Sequence, residues 1–128
     1  MRGNCCRQKN PDNSKILMAV RSINGARIGL TEKQWEHIIA ARPLFKPFQR
    51  QIMEAVEKPD EVYAPPVRLK PQLHAIKRFD QLVEFGLARS LVVVYRELSP
   101  NEGFIITAFP ISERRRDRRY TAWRRLYP

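Results

Sequence analysis

The 128 residues fall within the usual size of one domain, and a hydrophobic content of 43% is enough for a core without disulfides or structural metal. The longest apolar runs, Leu91 to Tyr95 and Phe104 to Phe109, fall far short of the roughly 20 residues a membrane-spanning helix needs. The net charge of +11 points instead to an anionic partner.

The distribution of that charge narrows the choice. Residues 1–30 hold six basic residues against one acid, and residues 113–128 hold seven arginines against two acids. The stretch between them is nearly neutral, with eleven basic and ten acidic residues. Every cation of the C-terminal block is arginine, whose planar fork suits phosphate better than the lysine ammonium does. Tyr120, Trp123 and Tyr127 are interleaved there, as expected where bases stack beside phosphate contacts. A nucleic acid, RNA before DNA, is therefore the expected partner. A solvated basic tail or a surface for an acidic protein would show the same charge.

In chain order, residues 1–14 read as a disordered basic N-terminus without the apolar core of a signal peptide, so a cytoplasmic location is expected. Cys5 and Cys6 are adjacent, a separation at which a disulfide is strained, and no zinc-ligand spacing accompanies them. Ile16 to Ile23 predicts a first strand, Asn24-Gly25 a tight hairpin turn and Ala26 to Leu30 a short return strand. Thr31 and Gln34 then form a capping box, with Leu30 and Trp35 as its hydrophobic staple. Trp35, Ile38 and Ile39 give this helix one apolar stripe, and Arg42-Pro43 ends it.

Pro47 opens a second helix whose buried face is Phe48, Ile52, Ala55 and Val56, and Lys58-Pro59 stops it. Glu61 to Tyr63 and Val67 to Leu69 read as short extended pieces. Residues 72–86 fit a helix through Leu73, Ile76, Phe79, Val83 and Leu87, and a strand through His74, Ile76 and Arg78. Leu91 to Arg96 predicts a central strand, and Phe104 to Phe109 returns antiparallel after a turn at residues 99–103. The expected fold is α+β, with two N-terminal helices packed on one face of an antiparallel sheet of about four strands around a single core. The expected organisation is a compact domain over residues 15–112 followed by an Arg-rich segment, 113–128.

No phosphate loop, dinucleotide fingerprint, metal-ligand cluster or nucleophile elbow is present in the sequence, so no metal and no cofactor are expected. RNA cleavage is chemistry that such a set of residues can perform. The 2′-OH of the substrate is the nucleophile, and the protein supplies a base, an acid and cations. His37 lies about 150° from the centre of the apolar stripe and so faces solvent or a cleft. Its imidazole has the intrinsic pKa for proton transfer, although an exposed histidine can equally be idle. Arg42 falls on the apolar side of the same helix, either snorkelling past it or presenting a guanidinium at a cleft edge. Thr107 sits in a strand where threonine is at home for structural reasons alone. Arg96 ends the preceding strand.

Four segments in order carry a resemblance. They are Leu30-Thr-Glu-Lys-Gln-Trp-Glu-His-Ile38, Ala55-Val-Glu-Lys-Pro-Asp-Glu-Val-Tyr63, Leu91-Val-Val-Val94 and Phe104-Ile-Ile-Thr-Ala-Phe109. Together, over about residues 30–112, they resemble the phage- and toxin-associated barnase/EndoU/colicin/RelE-like family of metal-independent ribonucleases. The resemblance implies an active face on the sheet. His37 would transfer a proton, Lys77 or Arg78 would hold phosphate, and Thr107 would orient phosphate or a substrate hydroxyl. Trp123 or Arg124 would complete the site.

The leading expectation is thus a toxin-like endoribonuclease that leaves a 2′,3′-cyclic phosphate, with His37, Thr107 and Arg78 catalytic. Nucleic-acid contacts are expected from Lys77, Arg96, Arg114, Arg115, Arg116, Arg118, Arg119, Trp123 and Arg124. Two alternatives stand beside it: a non-catalytic basic RNA-binding module, and a domain docking an acidic partner protein such as an antitoxin. No membrane partner is expected.

Overall fold

A computed structural model describes residues 14–66 and 72–128. Seven strands form one sheet: β1 (Ile16–Arg21), β2 (Arg27–Thr31), β3 (Glu61–Ala64), β4 (Gln72–Arg78), β5 (Ser90–Glu97), β6 (Glu102–Ile111) and β7 (Arg124–Tyr127). The helices are α1 (Glu32–Ala41), α2 (Gln49–Glu57), α3 (Asp80–Glu84) and α4 (Glu113–Arg119), with a 3-10 turn at Pro43–Phe48 before α2. The strand order is β1-β2-β6-β5-β4-β3-β7. All neighbours are antiparallel except β2 and β6, which run parallel over Arg27–Gly29 and Glu102–Phe104.

This corrects the expected sheet of about four strands with two N-terminal helices on one face. The sheet has seven strands, and the four helices are spread through the chain. The β1–β2 hairpin is not separate, because the parallel contact with β6 joins it to the central strands. At the other edge, the Arg-rich C-terminus adds α4 and a seventh strand paired with β3. Residues 72–86 satisfy both of their sequence patterns in turn: β4 runs to Arg78, and α3 starts at Asp80. The proposed extended piece at 67–69 and the N-terminal Cys5 and Cys6 lie outside the described residues.

The strongest local signals hold. Thr31 is the N-cap of α1, and its hydroxyl accepts from the Gln34 backbone at 3.1 Å. Gly25 takes φ +85 in the β1–β2 turn, a conformation that glycine adopts without the Cβ penalty. A single core was expected, but apolar layers lie on both sides of the sheet, which is why Leu91 to Tyr95 are all buried. Leu91, Val93 and Tyr95 join Ile38, Phe45, Ile52 and Leu82 beneath the first three helices and the 3-10 turn. Alternation sends Val92 and Val94 to the other face, where Ile76, Ile111 and Tyr120 cover them.

The parallel β2–β6 pairing stops at Phe104, yet β6 continues to Ile111. Along the seam left open there lies α1. The Gln34 side-chain amide donates to the Ile106 carbonyl, so a side chain takes the place of a neighbouring strand at this point. Arg42, at the other end of α1, reaches the ring of Phe109.

Candidate nucleic-acid interface

The second face of the sheet is covered by the C-terminal segment, and the sequence explains how. Ser112 caps α4 by accepting from the Arg115 backbone at 3.3 Å. Within α4, Arg115, Arg118 and Arg119 are spaced three and four apart and so share one side. Arg116 points elsewhere. It pairs with Glu61 and, at 3.0 Å, with Glu113. Glu61 also receives Arg125 at 2.9 Å, and Glu113 receives Arg78 through two hydrogen bonds of 3.2 and 3.0 Å. This ion-pair cluster ties α4 and β7 to β3 and β4. The hydrogen bond from Arg78, followed by the one from Ser90, holds the Glu113 carboxyl below its ordinary pKa against the effect of burial.

The cluster uses one of the five α4 arginines and leaves four over, of which three share one side. Arg115, Arg118 and Arg119 line a cavity of about 530 Å³ with Arg42, over a floor of Phe109, Pro110 and Ile111. The guanidinium carbons of Arg119 and Arg42 stand 5.2 and 5.8 Å from the centre of the Phe109 ring, within cation–π range. Among the described residues, no carboxylate forms an ion pair with any of these four arginines. Like charges at such spacing repel by a few tenths of a kcal/mol per pair on a helix, so the groove gains from an anion that bridges them. Its geometry suits a phosphodiester backbone: four forked donors over an apolar floor.

Behind Phe109 lies a residue that the sequence reading missed as a site element. His74, in the middle of β4, is 5% exposed. Its Nδ1 shares a 2.8 Å hydrogen bond with the Tyr120 hydroxyl. The rings of Trp123 and Phe109 meet it edge-on at 4.6 and 6.4 Å. Burial, with a smaller contribution from the Arg119 charge, lowers its pKa to about 4, so the ring is neutral at pH 7. Burial likewise pushes Tyr120 up to about 12. The only hint in the sequence was the alternation of His74 with Ile76.

The expected site residues are dispersed. His37 is exposed on α1, and Thr107 is half-buried on β6 opposite Val94, on the His74 face. Arg78 is engaged by Glu113 at the end of β4. Lys77 donates to the Lys58 carbonyl at 2.8 Å and lies 3.8 Å from Asp60. Arg114 is exposed on α4, and Arg124 lies in β7 opposite Ala64. Trp123 packs on His74, and Arg96 borders a second cavity near Gln34. The structure therefore brings together Arg115, Arg118 and Arg119, adds Arg42 and Phe109, and leaves His37 outside this group. Among the described residues, no group of three or more His, Cys, Asp or Glu is placed to hold a metal, and no helix is long and apolar enough to cross a membrane.

Compared with known proteins, the chain matches no family model, no curated protein and no solved structure.

Proposed function

We propose that this protein binds single-stranded RNA by its backbone, in the groove between α1 and α4. The observation that carries this reading is the set of four arginines without acidic partners among the described residues, Arg42, Arg115, Arg118 and Arg119, around one cavity. Phosphates supply the missing negative charge, and each one bound releases counterions. Single strands fit better than a duplex, because a groove between two helices, floored by Phe109, Pro110 and Ile111, follows one backbone rather than two.

The test is fluorescence anisotropy of a labelled single-stranded RNA across a salt series. Affinity falls with salt, at a slope of about −0.7 per phosphate contact. Replacing Arg115, Arg118 and Arg119 together by Gln removes most of the affinity and most of the slope. Equal binding by that triple variant would refute the placement of the interface, and a wild type that retains no RNA would refute the function.

A second reading, a metal-independent endoribonuclease, is favoured by one observation. Thr107, the threonine of the ribonuclease-like motif, lies two residues from the groove floor at Phe109 in the same strand. In that reading the groove holds the strand, Thr107 orients a phosphate, and His37 is the proton-transfer group carried by the resemblance. Incubation with RNA in EDTA tests it: cyclic-phosphate ends from wild type, and none from His37→Ala or Thr107→Ala, support cleavage. Intact RNA after prolonged incubation removes this reading and leaves the binding module.

A further inference from the structure

A second cavity opens on the same seam as the arginine groove. It has a volume of about 230 Å³ and is bordered by Gln34, Arg96, Leu98, Phe104 and Ile106. Arg96 and Phe104 are register partners on β5 and β6, and strand alternation puts Arg96 on the same sheet face as Val92 and Val94. Phe104 and Phe109 therefore both face this side, one beside the cavity and the other flooring the groove. On α1 the two sites are marked by Gln34 and Arg42, eight residues or about 12 Å apart along the helix axis.

Two features point to a ligand. Arg96 makes no ion pair or hydrogen bond with any described side chain, and its Nε is buried without an acceptor. Glu102 begins β6 on the same face by alternation, yet it does not pair with Arg96, and its own Oε1 is buried and unpartnered. A guanidinium in that position gains from a planar acceptor pair brought in from outside. The walls around it are apolar, from Leu98, Phe104 and Ile106. The volume lies below the roughly 300–1,000 Å³ typical of sites for whole drug-sized ligands, which matches a single ring system.

We infer that this cavity takes one unstacked guanine base of the RNA whose backbone runs in the arginine groove. Guanine is the base whose O6 and N7 present two acceptors side by side, the pattern that an arginine fork reads. Adenine offers an amino donor in place of O6 and would face the guanidinium with like polarity. This inference rests on the RNA-binding reading of the adjacent groove and adds base preference to it.

The experiment compares an octauridylate strand with the same strand carrying one internal guanosine or one internal adenosine. Anisotropy is read for wild type, Arg96→Met and Leu98→Trp. Methionine keeps an apolar stem without the fork. Leu98 is 51% exposed at the rim, so tryptophan there obstructs the cavity without entering the core. Wild type is expected to prefer the guanosine strand about 10-fold over the other two. The ratio falls to near one in both variants. If Arg96→Met fails to fold, Leu98→Trp decides alone. Equal binding of all three strands by wild type, or a preference that survives in Leu98→Trp, overturns the guanine pocket while leaving the groove in place. Absence of binding to every strand overturns the groove and the pocket together.

Discussion

The Nδ1 of His74 and the hydroxyl of Tyr120 lie 2.8 Å apart, joining the middle of β4 to the end of α4 beneath Trp123. The two groups come from positions 46 residues apart, and the bond between them is buried. It fixes the C-terminal segment on the sheet by a polar contact inside an apolar layer, where an unmade hydrogen bond costs far more than a made one contributes.

That burial makes stability depend on pH. An unfolded histidine takes up its proton near the ordinary value of 6.5, whereas folded His74 does so only at about 4. Between those values the unfolded chain binds more protons, so stability falls as pH drops through the window and is fully present above it. The loss from this one group is on the order of 3 kcal/mol. Urea unfolding at pH 7, 5.5 and 4 measures it. His74→Gln is expected to be less stable at pH 7 and to lose less between pH 7 and 4. A slope unchanged in that variant would assign the dependence to other groups.

Glu61 is the hub of the ion-pair cluster, with a side chain only 13% exposed and two arginines upon it. Glu61→Gln takes from Arg116, itself 14% exposed, the most buried of its charge partners and leaves it the half-exposed Glu113. The expected loss is about 1.5–3 kcal/mol, the range for hydrogen bonds to charged groups. Glu113 is 50% exposed, and solvent screening reduces the cost of Glu113→Gln to below about 1 kcal/mol. Denaturant midpoints of the two variants give the order, and a larger effect at Glu113 would contradict it.

Gly103 stands where β6 passes close to β5. A Cβ there would sit 2.0 Å from the Arg96 carbonyl oxygen, a backbone atom that cannot swing aside. Gly103→Ala therefore forces the two strands apart, at an expected cost of about 1–3 kcal/mol. Gly25→Ala meets no neighbour but keeps a positive φ, so its cost is strain rather than collision. Thermal unfolding of both, with amide exchange across β5 and β6, separates the causes: only the first is expected to speed exchange there.

Charges in the groove and charges elsewhere are expected to differ in salt dependence. Arg118→Gln lowers the RNA-binding slope by about 0.7, one phosphate contact. Arg89 is an exposed arginine 3.3 Å from Asp80 and is not part of the groove lining, and Arg89→Gln leaves the slope as it is. A similar change in both would mean that net charge, not the groove, governs binding.

The sequence made local events readable where one side chain decides them: Thr31 at the start of α1, Asn24-Gly25 in the hairpin, and the apolar run of β5. It hid what depends on distant pairing. Nothing in Arg27 to Gly29 announces a parallel partner in residues 102–104. In β7 the residues Arg124 to Tyr127 are all exposed, so no apolar alternation marks them as a strand. His74 was obscured because Leu73, Ile76, Phe79 and Val83 imitate a helix across a strand–helix junction. The arginine groove was half legible: the spacing within 113–119 puts three arginines together, but the arrival of Arg42 and Phe109 is a matter of tertiary structure.

The strand order also sets the distance between the two edge strands. β1 and β7 are the outermost strands, six inter-strand steps apart, which at about 4.8 Å per step is roughly 29 Å. Arg124 and Arg125 in β7 thus sit a full sheet width from β1, whereas Arg115, Arg118 and Arg119 of α4 lie over β6, two strands from it. A dye attached just ahead of β1 would therefore stand well clear of Arg124 and Arg125 but close to the strand that floors the groove, and would report on occupancy of the groove rather than on the β7 border.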